Sequence, residues 1–323
     1  MASATLLLGG FMVRDAVGQA PEAPNPRIVA IVRKAIRASR TQSLVGTRTV
    51  EFRDGSVNPR HTEIVTRSGQ NVRIDFPPGT QFAGQIIVDN GIDRRHYFPR
   101  PNEIRILPSR KDEIIRQLTQ LVGRAGIKRK WAEESPSTVA GRSVSVISVA
   151  DLDGNVVQRL YLDSETSFPL KRVLYDPVGA PIGSFEFTHV DFQAVINPAL
   201  FKLDRKGATI VSPQAILARL TTRGGFERWQ IPVTSGFRLE GSHVANFDGT
   251  MALVQVYSSA NGKVSFFQVK SNVIPNKLRQ SARLDFSVWV WKPKQSTLIL
   301  IGPRRGESLS KIADSVEPGP SGQ

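Results

Sequence analysis

From Ile28 to Gln42 the apolar residues Ile28, Val29, Val32, Ala35 and Ile36 recur at helical spacing, with Ser39 on the same face and Arg33, Lys34, Arg37 and Arg40 largely elsewhere. This pattern predicts an amphipathic helix. The period then changes to two: between Asn71 and Phe76, Val72, Ile74 and Phe76 alternate with Asn71, Arg73 and Asp75, as in a half-buried strand. Asp54-Gly55, Asn90-Gly91, Asp153-Gly154, Asp248-Gly249 and Asn261-Gly262 each separate β-rich runs, and such pairs tolerate the positive φ of hairpin turns, so they predict antiparallel neighbours. A second helix is predicted after Ser109 as N-cap, with Asp112 at the capping-box position, Ile114, Ile115, Leu118, Leu121 and Val122 on one face, and Gly123 or Gly126 as its stop.

Further strands are expected at 143–150, 156–163, 170–175 and 183–192, ending near Leu203. Lys206 to Thr209 reads as a linker, and Ser212-Pro213 as the N-cap and first turn of a third helix carrying Ile216, Leu217 and Leu220, with Gly224-Gly225 as its stop. Strands at 252–257, 263–269, 284–291 and 297–301 follow, then a last helix from about Glu307 to Val316, with the tail from Glu317 to Gln323 expected to be disordered. The fold class is α+β, mostly antiparallel β, in two units: 21–207 and 208–317. No internal repeat of solenoid period is present.

Composition refines this picture. Among 323 residues, 43 Lys and Arg against 28 Asp and Glu give a net charge of +15, a surface that attracts acidic lipid head groups, an acidic protein partner or nucleic acid. Nucleic acid ranks last, because no aromatic–basic RNA-binding motif accompanies the charge. Cysteine is absent, which excludes disulfides, thiolate metal sites and Cys nucleophiles. The apolar stretch Ala4 to Val13 and the small-residue exit Ala16 to Ala20 read as a secretory signal over residues 1–20, although no basic residue precedes them. No apolar run approaches the ~18 residues of a spanning helix, so a soluble, exported protein is expected.

Catalytic chemistry is hard to find. His61, His96, His189 and His243 are scattered and none forms an HExxH or i,i+4 pair, and there is no Gly-x-Ser-x-Gly elbow or Walker loop. Asp151, Asp153 and Asn155 lack the frame of a calcium loop and read as a hairpin turn; Glu133-Glu134 reads as a solvated loop pair. No enzyme, cofactor or metal is expected. The remaining chemistry is apolar: Phe76, Phe82, Phe98, Leu118, Leu121, Val122 and Trp131 line one concavity if the second helix folds over the sheet, and otherwise form plain core. Trp289 and Trp291 point to one face of their strand while Phe286, Val288 and Val290 point to the other, so this strand is either central or part of a partner-binding face.

The order Val139-Ala140-Gly141-Arg142, Tyr161-Leu162-Asp163, Phe168-Pro169-Leu170-Lys171, Phe185 to Val190 and Phe201 resembles the second half of the LolA/LolB-like superfamily. Asn90-Gly91 followed by Tyr97-Phe98-Pro99 resembles a hairpin of the same group. Farther on, Trp229, Pro232, Gly236-Phe237, then Val256-Tyr257-Ser258, Gly262, Val264-Ser265-Phe266, Leu298 to Gly302 and Ile312 to Val316 resemble the C-terminal domain of the periplasmic sigma-E factor regulators, the RseB/MucB family. That family's turn after Tyr257-Ser258 is two residues longer here.

The resemblance implies a periplasmic protein with a signal peptide, whose unclosed antiparallel barrel holds a lipid-sized cavity with helices in its concave face. A smaller domain then helps grip a membrane-anchored anti-sigma factor, and binding of a lipid or lipopolysaccharide releases the grip. Arg238, Tyr257, Phe266, Trp289 and Trp291 are the partner-binding candidates on this reading, and a homodimer is a further partner to consider. The alternative is a lipid or lipoprotein carrier of the LolA type without a signalling role.

Overall fold

A computed structural model of the chain describes residues 25–52, 60–109, 130–176, 178–247, 249–259, 262–270, 286–293, 296–303 and 309–319. In chain order the elements are α1 (Pro26–Thr41), β1 (Leu44–Phe52), β2 (Arg60–Ser68), β3 (Asn71–Asp75), β4 (Ile86–Asp89), β5 (Asp93–Phe98), β6 (Glu103–Pro108), β7 (Lys130–Val139), β8 (Arg142–Ala150), β9 (Val156–Asp163), β10 (Pro169–Tyr175), β11 (Pro181–Asp191) and β12 (Thr209–Val211). There follow α2 (Pro213–Gly224), β13 (Trp229–Gln230), β14 (Arg238–Phe247), β15 (Thr250–Ser259), β16 (Gly262–Val269), β17 (Phe286–Trp291), β18 (Thr297–Pro303), α3 (Leu309–Ser315) and β19 (Glu317–Pro318).

The large sheet has the strand order β12-β6-β5-β4-β3-β2-β1-β11-β10-β9-β8-β7, which is open at β12 and β7. A five-stranded sheet has the order β14-β15-β16-β18-β17. Apart from the parallel β6–β12 pair, the resolved registers are antiparallel. The fold is thus the expected α+β unclosed half-barrel with a smaller sheet domain. The chain divides into two compact units: Met1–Gln42 with Gly46–Thr62 and Asp112–Phe192, and Ser43–Val45 with Glu63–Lys111 and Gln193–Gln323.

In the first unit, Asn25 caps α1 by accepting the Arg27 N–H, and Pro26 occupies the first helical position, where a missing N–H costs nothing. Ile28, Val32 and Ala35 of α1 pack on Ile147, Leu160 and Leu162 of β8 and β9, with Trp131 of β7 joining them. The inner face of these strands is therefore apolar where α1 covers it. On the opposite face cations meet carboxylates: Arg159 bonds Glu134 at 3.0 Å, Lys171 bonds Glu186 at 2.8 Å, and Arg142 bonds Asp163 at 2.6 Å. This alternation follows from the two-residue period of a strand.

The Val139-Ala140-Gly141-Arg142 motif is the β7–β8 turn. Val139 pairs with Arg142, and Ala140 (φ 51°) and Gly141 (φ 74°) both take positive φ, as a two-residue turn of the I′ kind requires. Asp151 Oδ1 accepts the Asn155 N–H across the β8–β9 turn, so Asp151, Asp153 and Asn155 belong to a hairpin. Glu133 and Glu134, expected in a loop, instead lie on β7. Glu133 pairs with Arg27 at 3.1 Å and Glu134 with Arg159.

In the second unit, Ser212 caps α2 through the Ala215 N–H, and Gly225 ends it in the left-handed region (φ 57°). α2 and α3 cover one face of the five-stranded sheet, where Leu217, Phe237, Leu253, Phe266, Leu298, Leu300 and Ile312 form one core. Ala252, Val254, Phe267, Val269 and Ile299 are buried on the other face. Two expectations change here. The segment read as a linker ends in a strand, since Thr209–Val211 pairs with Glu103–Arg105. The tail is not wholly irregular either: Glu317 and Pro318 pair with Gln230 and Trp229. The second predicted helix, including Leu118, Leu121 and Val122, falls outside the described residues.

Candidate functional site

Strands β4 and β6 of the second unit carry Val88 and Ile104 on one face, and the segment from Phe201 to Ile210 runs beside them. Together they enclose a cavity of about 460 Å³, within the roughly 300–1,000 Å³ of small-ligand pockets. Its apolar side is built from Val88, Ile104, Phe201 and Leu203, all buried in one cluster. Asp93, Arg95, Lys202 and Asp204 supply charge to the lining, with Lys202 and Asp204 exposed because they alternate with the inward Phe201 and Leu203. Asp93 Oδ2 lies 3.5 Å from Arg95 Nε, while its Oδ1 is buried without a hydrogen-bond partner among the described residues. Such a cavity suits an amphiphile: an apolar part held by the floor and a polar part met by either sign of charge.

Of the residues predicted to line a concavity, Phe76, Phe82, Phe98 and Trp131 do not line this one, and Leu118, Leu121 and Val122 lie outside the described residues. Phe76 and Phe82 meet edge to face at 5.3 Å in the second unit. Phe98 lies 4.0 Å from the His96 ring, with the Arg105 guanidinium 4.0 Å over it. Trp131 belongs to the first unit, in the cluster under α1.

His96 itself bonds Gln85 Oε1 at 2.7 Å, and burial, reinforced by the charges of Arg94 and Arg105, pushes its pKa down to about 4 from 6.5. Folded His96 therefore stays neutral where the unfolded chain takes up a proton. Stability is complete above about pH 6.5 and falls as pH drops toward 4, by up to about 3 kcal/mol. Urea denaturation at pH 7 and pH 4.5 should show a smaller acid loss in His96→Gln than in the native protein; equal losses would remove His96 as the cause.

The partner-binding candidates separate by depth. Tyr257 and Phe266 are interior, 2 % and 0 % exposed. The Tyr257 hydroxyl accepts the Ile231 N–H at 3.2 Å and donates to Gln255 Oε1 at 2.7 Å, and burial pushes its pKa up to about 12. Trp291 stacks on Phe266 at 6.0 Å. Arg238 and Trp289 remain at the surface, on β14 and β17. These are opposite edges of the five-stranded sheet, four strand spacings or roughly 19 Å apart, so a partner touching both must span the sheet. The sequence left open whether β17 is central; it is an edge.

Electrostatically, α1 is one-sided. Arg33, Lys34, Arg37 and Arg40 are exposed opposite its buried face, and the helix contains no acidic residue. A face of this kind attracts phosphate-bearing surfaces. Among the described residues no helix is long and apolar enough to cross a membrane, and no group of three or more His, Asp or Glu gathers as for a metal ion.

No protein-family model matches the chain, and no curated protein matches it. Solved structures align with half or more of the chain at low identity. A structure of MucB in complex with MucA(peri) is 15 % identical with a TM-score of 0.44, over 90 % of this chain and 99 % of that one. The Pseudomonas aeruginosa MucA/MucB complex is 16 % identical with a TM-score of 0.45, over 91 % of this chain and 100 % of that one. The LolA superfamily protein NE2245 from Nitrosomonas europaea is 11 % identical with a TM-score of 0.28, over 54 % of this chain and 96 % of that one. The family that the sequence motifs resemble is the one represented in these structures.

Proposed function

We propose that the chain is a periplasmic binding protein that holds the periplasmic part of a membrane-anchored anti-sigma factor and lets it go when an acyl-chain ligand, a lipid or lipopolysaccharide, is bound. In this reading residues 21–207 take the ligand and residues 208–317 contribute to the grip. The observation that carries it is the open sheet with an apolar inner face under α1, together with a cavity that pairs buried apolar side chains with charged ones. The collinear motifs from about residue 28 to 317 support the regulatory half, and the basic face of α1 suits a phosphate-bearing amphiphile. Of the partner-binding candidates, Arg238 and Trp289 present side chains for direct contact, while Tyr257, Phe266 and Trp291 shape the sheet beneath.

Crosslinking in the intact envelope, followed by purification of the full chain, should recover a membrane protein with a single spanning helix. Recovery of none would count decisively against the regulatory reading. The cavity taken alone favours a carrier, which predicts acyl chains in organic extracts of the purified protein and no captured membrane partner.

A further inference from the structure

Viewed down its axis, α1 divides into two arcs. Ile28, Val32, Ala35 and Ser39 are buried on one side, and Ala30, Arg33, Lys34, Arg37, Arg40 and Thr41 are exposed on the other. At helical spacing the four cations of the outer arc fall within about 120° of one another and occupy about 10 Å of the axis. Ala30 and Thr41, which share the arc, are short, so the long basic side chains are its outermost atoms.

Charge pairing sets this arc apart from the strands it covers. On β8 to β10, Arg142, Arg159 and Lys171 each hold a carboxylate. α1 contains no acidic residue, and Glu133 sits on Arg27 at its amino end. The side chains of Arg33, Lys34, Arg37 and Arg40 meet no carboxylate among the described residues. Arg33 and Arg37 are four apart and Arg37 and Arg40 three apart, spacings at which like charges on a helix repel. The arc therefore costs the helix some stability, and a surface of opposite sign relieves both pairs at once.

A bilayer with anionic head groups is such a surface: it is extended, and it attracts each Lys or Arg brought near it. Nucleic acid is the competing polyanion, but α1 carries no aromatic side chain on which bases could stack. We propose that the outer face of α1 docks the protein on an anionic phospholipid surface, with the helix axis in the plane of the head groups. The apolar side of α1 stays on β8 and β9, so the contact is electrostatic and reversible and inserts no helix. This docking goes beyond the function proposed above and depends on neither its ligand nor its partner; it adds that the protein works at a membrane surface.

Sedimentation of the full chain with sucrose-loaded vesicles tests it, the vesicles being phosphatidylcholine alone or with about one third phosphatidylglycerol. Binding should require the anionic lipid and fade as salt rises past about 0.1 M, where the screening length is about 10 Å. Arg33→Gln/Lys34→Gln/Arg37→Gln removes three charges and keeps residues of similar helix propensity, so far-UV circular dichroism and the thermal midpoint should hold. Its affinity for the anionic vesicles should fall about a hundredfold, roughly fivefold per charge. Arg100→Gln/Lys206→Gln/Lys311→Gln takes the same net charge from exposed positions of the second unit and should cost far less. Equal losses in the two variants, or equal binding of the native protein to neutral vesicles, overturn the docking face. Tighter binding to a DNA duplex than to anionic vesicles at equal phosphate, lost in the α1 variant, assigns the face to nucleic acid and overturns the proposal as well. Each of these results leaves the crosslinking test of the proposed function untouched.

Discussion

Replacing Asp163 with alanine is expected to destabilise the first unit by about 2–4 kcal/mol, because it removes a buried acceptor and leaves several donors unsatisfied at once, although half-buried Arg142 keeps Glu165 as a partner. The Asp163 side chain is 1 % exposed and accepts Arg142 Nε at 2.6 Å, the Thr166 N–H at 2.8 Å, the Thr166 hydroxyl at 2.9 Å and the Glu165 N–H at 3.2 Å. Burial alone would raise the pKa of this carboxyl, but Arg142 and the Thr166 donors outweigh it and hold the value below the usual carboxylate range. The contribution is therefore present at neutral pH and lost as pH falls through the folded value. Asp163→Asn, which keeps the shape and one acceptor, should lose less. Urea denaturation followed by far-UV circular dichroism measures both. A shift of under about 1 kcal/mol for the alanine variant would mean that the network holds nothing together.

Asp163 also explains why the sequence resemblance reached the fold before it reached a site. Val139 fills the core, Gly141 permits the two-residue turn, Arg142 reaches Asp163, and Asp163 in turn ties down the β9–β10 connection through Glu165 and Thr166. These residues make the frame, and a frame has short local rules: a turn needs its glycine, a buried acid its partner. The same locality made the cap of α2 and the turns at Asn90-Gly91 and Asp153-Gly154 readable.

What was not readable depends on partners far away in the chain. β7 looked like a loop because it is an edge strand whose residues from Ala132 to Thr138 are mostly exposed and whose Pro136 sits where the register slips between Glu134 and Ser137. Edge strands carry charge and proline for that reason. β12 is three residues long and becomes a strand only through β6. The cavity draws on residues from Val88 to Ile210, and alternation reveals that a position faces inward without revealing what covers it. Gln158 shows the same gap from the other side: a glutamine between Val156 and Leu160 reads as ordinary strand, and its hydrogen bond from Arg172 exists only once β9 and β10 have paired.

Phe266 carries the second large expectation. It is fully buried between α2, α3 and the five-stranded sheet, in contact with the cluster of Leu217, Tyr257, Leu298, Leu300 and Ile312, and stacked on Trp291 with the rings 11° from parallel. Phe266→Ala removes that contact surface and leaves a cavity that a rigid sheet cannot close, so a loss of about 3–5 kcal/mol is expected. Trp229 and Trp291 pack on this same cluster, so intrinsic fluorescence during urea denaturation reports its unfolding directly. Trp289→Ala, at a side chain 44 % exposed, should move the midpoint far less, by about 0.5 kcal/mol. The contrast decides how any binding data are read: weakened partner capture by Phe266→Ala follows from a damaged domain, while weakened capture by Arg238→Ala or Trp289→Ala at native stability marks the contact surface itself. A native midpoint for Phe266→Ala would place this residue outside the core and return it to the surface candidates.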